Sequence, residues 1–73
     1  MSATRAHRKR LGETIRAFRE KAEMSQELLA ERSELHHNYL GEVERGEKAA
    51  TIDTLVKIAK GLRLEVSDLV QDV

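Results

Sequence analysis

Two adjacent histidines, His36 and His37, stand between Glu34 and Glu42, and these are residue types that bind metal ions or transfer protons. Neighbouring side chains on a helix point about 100° apart, so the two imidazoles cannot converge on one ion. His36 and Glu42 are not spaced at i and i+4 either. No paired nucleophile and base and no glycine-rich phosphate loop occur in the sequence. The sequence therefore predicts no enzyme, no catalytic residue, no metal site and no cofactor.

Two further charged residues, Arg19 and Glu44, fall where apolar side chains are expected. Arg19 lies on the helical stripe set by Ile15 and Ala22. Glu44 lies four residues after Leu40. Burying either charge alone would cost roughly 3–5 kcal/mol, so we expect the two side chains to pair with each other. This structural ion pair would hold the first helix against the end of the third.

The elements that must position these residues are helices. The chain contains no proline and only two aromatic residues, and the alternation typical of strands is absent. Apolar spacing and capping residues predict a compact all-α fold of five helices. The helices are predicted at about 4–22, 25–33, 36–44, 51–62 and 66–71. Ser25 and Thr51 are expected as N-caps, and Gly46 is expected to end the third helix. The apolar face of the fourth helix is predicted to contain Ile52, Leu55, Val56, Ala59 and Leu62.

A chain of 73 residues forms one domain, here residues 1–73. Such a domain buries only roughly 60% of the surface that its unfolded chain exposes. Because there is no cysteine, helix packing and self-association must supply the stability. The sequence contains neither an apolar run of membrane-spanning length nor a signal peptide, so we expect a cytoplasmic protein without a membrane partner.

Positive and negative charges are equal in number, thirteen of each, but they are separated along the chain. Residues 1–21 carry seven basic side chains and two glutamates, whereas residues 22–47 carry seven glutamates and two arginines. This separation fits either a basic face that binds an anion or an ordinary solvated helix. The basic stretch from Arg5 to Arg10 also has two possible interpretations. It is either an arm that reaches phosphates or a continuation of the first helix, and its direct run into the Leu11 periodicity favours the helix.

The stretch from Leu11 to Val70 resembles the Cro and phage-repressor helix-turn-helix family, and is particularly similar to the small controller proteins of restriction–modification systems. The resemblance implies a lambda-repressor-like fold with the helix-turn-helix motif at helices 2 and 3, about residues 25–45. It also implies a sequence-specific regulator of transcription that binds double-stranded DNA. The residues that carry it are Ser25-Gln26, Leu29-Ala30, Tyr39-Leu40-Gly41, Glu44-Arg45-Gly46 and Thr54-Leu55 to Leu62.

The resemblance further implies roles for single residues. Helix 3 would enter the major groove, and the start of helix 2 would meet phosphates. An asparagine can make two hydrogen bonds to adenine, a histidine can donate to guanine N7 or O6, and a glutamate accepts from cytosine N4. The Arg19–Glu44 pair matches a buried ion pair of the family. The implied base-reading residues are His36, His37, Asn38 and Glu42, and the implied phosphate contacts are Ser25, Gln26, Arg45 and Lys48.

Three positions depart from the family pattern. Glu23 and Glu34 stand where glycine is usual, and Ala50 stands where proline is common. If either glutamate adopts a positive φ, the strain costs on the order of 1 kcal/mol. Glu34 also adds negative charge near the expected DNA surface.

The C-terminal segment is more apolar than a core of this size requires. Two-fold dimers of helix-turn-helix proteins bind half-sites about 34 Å apart, and the controller resemblance implies a homodimer on a symmetric operator. The predicted interface includes the helix at about 66–71. The alternative is that its residues only cover helices 1 and 4. The interface residues are Leu64, Val66, Leu69 and Val70.

The sequence is also compatible with one other function. The same fold can serve as an antitoxin or another protein-interaction module, and the acidic middle of the chain favours such a role. The primary prediction is the DNA-binding regulator, with the restriction–modification controller as its narrower form. No small-molecule effector is expected, because the chain has no room for a separate effector domain.

Overall fold

The computed structural model describes residues 2–71 and 73, with side chains from Arg5 onward. Within this part of the chain there are five helices and no strand, which confirms the predicted all-α fold; none of these helices is long and apolar enough to cross a membrane. The predicted boundaries agree with the observed ones within two residues. The helices are α1 Ser2–Lys21, α2 Gln26–Arg32, α3 His37–Glu44, α4 Ile52–Leu62 and α5 Val66–Val70.

Ser25 and Thr51 are the N-caps of α2 and α4, as predicted. Ser25 Oγ accepts a hydrogen bond from the backbone N–H of Leu28 at 3.0 Å. Thr51 Oγ1 accepts one from the backbone N–H of Thr54 at 3.1 Å. Each bond satisfies an N–H that has no partner inside its helix, so both helix starts are defined locally by the sequence.

The first four helices end in one hydrogen-bond pattern, the Schellman motif, in which a backbone N–H donates to the carbonyl five residues earlier. At the end of α2, for example, the Leu35 N–H donates to the Ala30 carbonyl at 2.8 Å. The motif requires one residue with positive φ, and only one of the four is glycine. These residues are Glu23 (φ 60°), Glu34 (φ 56°), Gly46 (φ 76°) and Arg63 (φ 60°). Both glutamates that depart from the family pattern therefore adopt the strained conformation, and Arg63, which the sequence did not mark, does so as well.

We expect Glu34→Gly to raise the free energy of unfolding by about 0.5–1 kcal/mol. Glycine removes a left-handed-helix penalty of about 1–2 kcal/mol, and the greater freedom of the unfolded chain offsets about 0.4–1 kcal/mol of that gain. Urea unfolding followed by circular dichroism measures the change. The control is Glu31→Gly, the same change at an exposed helical position of α2, which should lose about 1 kcal/mol. A loss at both positions would contradict strain at Glu34.

The core lies where the helices meet, and α4 contributes to it differently from the prediction. Ile52 is 70% exposed, although its spacing places it on the apolar face of α4. It occupies the first position of the helix. Ile58 is fully buried instead. The largest fully buried side chains are Ile15, Leu29, Leu40, Val43, Ile58 and Leu69.

Two glycines let α1 lie directly against the end of α3. A Cβ on Gly12 would collide with the backbone carbonyl of Glu44. A Cβ on Gly46 would lie 2.9 Å from the Cα of Lys9. These close approaches place the N-terminal half of α1 beside the residues that follow α3.

Candidate nucleic-acid interface

Helix α3 has one polar face and one buried face. Positions 37, 38, 41, 42 and 45 share one side at helical spacing, and Gly41 is the only one of them that is buried. Leu40, Val43 and Glu44 are buried on the other side. The helix is thereby fixed to the core with a row of hydrogen-bonding side chains directed outward.

A shallow groove of about 280 Å³ lies between the start of α2 and this polar face of α3. It is lined by Gln26, His37, Asn38, Gly41, Glu42 and Arg45. Five of the eight residues predicted to contact DNA therefore meet in one concavity. The other three, Ser25, His36 and Lys48, do not line it.

The side chains of Asn38 and His37 carry hydrogen-bonding groups that are available to a ligand. Both side chains are exposed, and among the described residues the Asn38 amide makes no side-chain hydrogen bond. The imidazole of His37 is stacked on that of His36, with centroids 5.1 Å apart and 17° between the planes. The described part of the chain contains no group of histidine and acidic side chains placed to hold a metal ion.

His36 has a different place from the one predicted, because it precedes α3 as its N-cap. Its Nδ1 accepts a hydrogen bond from the backbone N–H of Asn38 at 3.2 Å. This bond requires Nδ1 to be unprotonated, so the neutral ring carries its proton on Nε2. Through the cap and the stack, His36 positions Asn38 and His37 rather than joining them in the groove.

The buried ion pair between Arg19 and Glu44 is connected to the groove through Gln26. Arg19 Nε donates to Glu44 Oε2 at 2.7 Å, and Nη2 donates to Oε1 at 3.1 Å. The third nitrogen, Nη1, donates to the Met24 carbonyl at 2.8 Å. Gln26 Nε2 donates to Glu44 Oε1 at 2.9 Å, so the predicted phosphate contact also braces the buried carboxylate. Only one N–H of the Gln26 amide is thus left for a ligand.

Both predicted phosphate-binding cations of the α3–α4 connection lie beside carboxylates. Arg45 donates two hydrogen bonds to Glu47, at 2.9 and 3.2 Å. This contact lowers the pKa of the Glu47 carboxyl and raises the pKa of Arg45. Lys48 Nζ lies 3.9 Å from Glu42 Oε1. Because these pairs are largely solvent-exposed, each is weak, and a phosphate can take the place of the carboxylate.

Tyr39 fixes the connection that carries these cations. Its Oη donates to the Ala49 carbonyl at 3.2 Å and lies 3.4 Å from Thr54 Oγ1. Tyr39 therefore joins α3 to the loop and to the start of α4. No sequence pattern predicts this role of Tyr39, because its hydrogen bond goes to a backbone carbonyl ten residues away.

The four predicted interface residues of the C-terminal segment do not share one environment. Leu69 is fully buried within its own chain, which corrects its assignment to a dimer surface. Leu64 and Val66 are half-buried against the core, and Val70 is 38% exposed. Of the four residues, Leu64, Val66 and Val70 therefore remain available to a second copy.

Comparison with known proteins places this geometry in a family. The helix-turn-helix family HTH_3 matches residues 15–69. Control protein C.SmaI of Serratia marcescens is 46% identical over 59 residues, which cover 81% of this chain and 70% of that protein.

Two solved structures are similar throughout most of the chain. The restriction–modification controller protein C.AhdI from Aeromonas hydrophila has a TM-score of 0.86 and 34% identity, covering 88% of this chain and 97% of that one. The clp gene regulator ClgR from C. glutamicum has a TM-score of 0.80 and 34% identity, covering 85% and 80%. The chain therefore belongs to the HTH_3, or XRE-type, helix-turn-helix family of DNA-binding transcription regulators.

Proposed function

We propose that this chain regulates transcription as a homodimer, which places α3 of each protomer in the major groove of a two-fold symmetric operator. The observation that carries the proposal is the groove between α2 and α3, in which Gln26, His37, Asn38, Glu42 and Arg45 converge. An α-helix with an outward polar face fits the width of the major groove. The role is regulatory rather than catalytic, and the protein acts in the cytoplasm of a bacterium or of a phage-infected cell.

Within this arrangement the base-reading residues are His37, Asn38 and Glu42. Asn38 should contribute most to base recognition, because its exposed amide can both donate a hydrogen bond to one adenine and accept one from it. Glu42 favours a cytosine and disfavours an acceptor at the same position, so it contributes by exclusion as well as by contact. His36 acts through the N-cap that holds Asn38.

The phosphate contacts come from the two ends of the motif. The backbone N–H groups at the start of α2, next to Ser25 and Gln26, have no helical partners and can receive an anion. Arg45 and Lys48 exchange their carboxylate partners for phosphates after α3. These contacts set the register of the protein on the duplex and carry no sequence information.

Dimerisation is the second part of the proposal. A single short helix reads only a few base pairs, and a two-fold dimer doubles the sequence that is recognised. The half-buried Leu64 and Val66 and the exposed Val70 supply the apolar surface for it. The similarity to control proteins supports the narrower role of a controller of a restriction–modification system.

The test is selection from a pool of random duplexes, followed by sequencing of the bound fraction. We expect enrichment of a two-fold symmetric site. Asn38→Ala should weaken binding to that site by about 5- to 150-fold, as one lost bidentate contact of about 1–3 kcal/mol predicts, and leave binding to random duplexes unchanged.

The control is Lys57→Ala, which truncates an exposed side chain in a cleft that contains no residue of the groove and should leave the ratio of the two affinities unchanged. An unchanged affinity of Asn38→Ala for the selected site would contradict the assignment of Asn38 as a base-reading residue of α3. Absence of any enriched or bound duplex at low salt would overturn the proposal and favour a protein partner.

A further inference from the structure

The groove itself carries little uncompensated positive charge. Arg45 is hydrogen-bonded to Glu47, and Lys48 lies beside Glu42. A protein that binds DNA must neutralise phosphates, and the number it neutralises sets both its affinity and its dependence on salt. Cations from another part of the chain are therefore needed beside the groove.

A second concavity, of about 450 Å³, begins where the groove ends. Arg45 lines both of them, so the two surfaces are continuous. The remaining lining residues are Arg5, Arg8, Lys9, Gly46 and Glu47. The contact between the α1 backbone and Gly46 explains why the first turns of α1 lie here.

Three cations of this concavity have no carboxylate partner among the described residues. Arg5, Arg8 and Lys9 occupy positions i, i+3 and i+4 of α1, so they share one helix face, and none takes part in an ion pair of the described part of the chain. We refer to these three side chains as the α1 basic face. It contributes three positive charges directly beside Arg45.

The α1 basic face is unfavourable for the isolated protein. Like charges at i and i+4 repel, and cations near the N-terminal end of a helix oppose its dipole. The first turn of α1 contains no acidic residue that could offset them. Arg8 Nε is buried and has no hydrogen-bond partner among the described residues. An anion in the concavity would relieve each of these penalties.

We propose that the α1 basic face is a second DNA-backbone surface, which binds phosphates that continue the row contacted by Arg45. The ligand class is the phosphodiester backbone of duplex DNA, because the concavity opens into the base-reading groove through Arg45. The surface is a rigid helical one rather than a flexible arm, since α1 is helical from Ser2. This inference rests on the proposed function.

The experiment compares two triple variants with the wild-type protein. Arg5→Gln, Arg8→Gln and Lys9→Gln together remove the α1 basic face. The control carries Arg32→Gln, Lys57→Gln and Lys60→Gln, which remove the same charge from a cleft that contains no residue of the groove. Dissociation constants are measured for the selected operator and for a random duplex over a range of salt concentrations.

Loss of the α1 basic face should lower the slope of log affinity against log salt by up to about 2.7 per protomer, because each phosphate contact contributes about 0.9. Affinity for operator and for random duplex should fall by the same factor, and the control should match the wild-type slope. An unchanged slope, or a loss confined to the operator, would overturn the inference.

A second measurement uses the wild-type protein alone, so it does not depend on how the variants fold. Hydrogen exchange of the backbone amides at residues 5–9 should slow when the operator is added. Unchanged exchange there, together with protection of α3, would overturn the inference and leave the proposed function intact. If the wild-type protein selects no operator, the proposed function itself fails, and the two failures are thereby distinguished.

Discussion

Glu44→Gln is expected to lower the free energy of unfolding by roughly 3–5 kcal/mol, the cost of leaving one buried charge without its partner. The side chains of Arg19 and Glu44 are only 11% and 2% exposed, so water cannot replace the lost carboxylate. A small domain has a total stability of only about 5–15 kcal/mol, so this loss would remove a large fraction of it. Urea and thermal unfolding followed by circular dichroism measure the loss.

The matched control is Glu20→Gln. Glu20 pairs with Arg16 at 3.1 Å, but both side chains of that pair are more than half exposed. An exposed pair at i and i+4 contributes about 0.3–0.5 kcal/mol, so this variant should be nearly as stable as the wild-type protein. Equal losses from the two substitutions would show that burial adds nothing to the Arg19–Glu44 pair and would contradict the prediction.

The same carboxylate links stability to recognition. Glu44 Oε1 accepts hydrogen bonds from both Arg19 and Gln26, so it holds α1 and the first residue of α2 on the same side of α3. Gln26, which lines the groove, is thus held against α3 by Glu44. In a folded Glu44→Gln variant, one amide oxygen must accept from both Arg19 and Gln26 in place of two carboxylate oxygens. We therefore expect Gln26 to be held less firmly and DNA to bind more weakly.

Features that depend on neighbouring residues in the sequence could be predicted. Ser25 and Thr51 bond to backbone groups three residues away, so their capping follows from residue type and position alone. The Arg19–Glu44 pair was also predictable, because a charge that interrupts an apolar stripe must find a partner. The helices follow from such local evidence, whereas the helix-turn-helix motif was implied by the family resemblance.

Features that depend on three-dimensional placement could not be predicted. Ile52 and Ile58 both fit an apolar helix, and only the position of α4 in the fold decides which one is buried. Histidine is not among the favoured N-cap residues, so the role of His36 had no sequence signal. The Arg45–Glu47 hydrogen bonds depend on the orientation of two exposed side chains, which residue order does not specify.

Leu69→Ala should lower the free energy of unfolding of the protomer by about 2–5 kcal/mol, because it opens a cavity in the core. Leu69 is fully buried, whereas its neighbour Val70 is 38% exposed and points about 100° away. Val70→Glu should therefore leave the protomer folded and weaken self-association instead. Urea unfolding measures the first effect, and sedimentation equilibrium over a range of protein concentrations measures the second.

Ile52→Glu is the control for charge, because it puts the same carboxylate in place of an exposed apolar side chain outside the C-terminal segment and should leave both properties close to wild type. Substitutions at Leu69 and Val70 thus separate an effect on folding from an effect on self-association. If Leu69→Ala altered self-association without changing protomer stability, Leu69 would belong to the interface after all. If Val70→Glu left the protein as associated as the wild type, the C-terminal segment would only cover helices 1 and 4. Reading of a symmetric operator would then require a different contact between protomers, because each half-site needs its own α3.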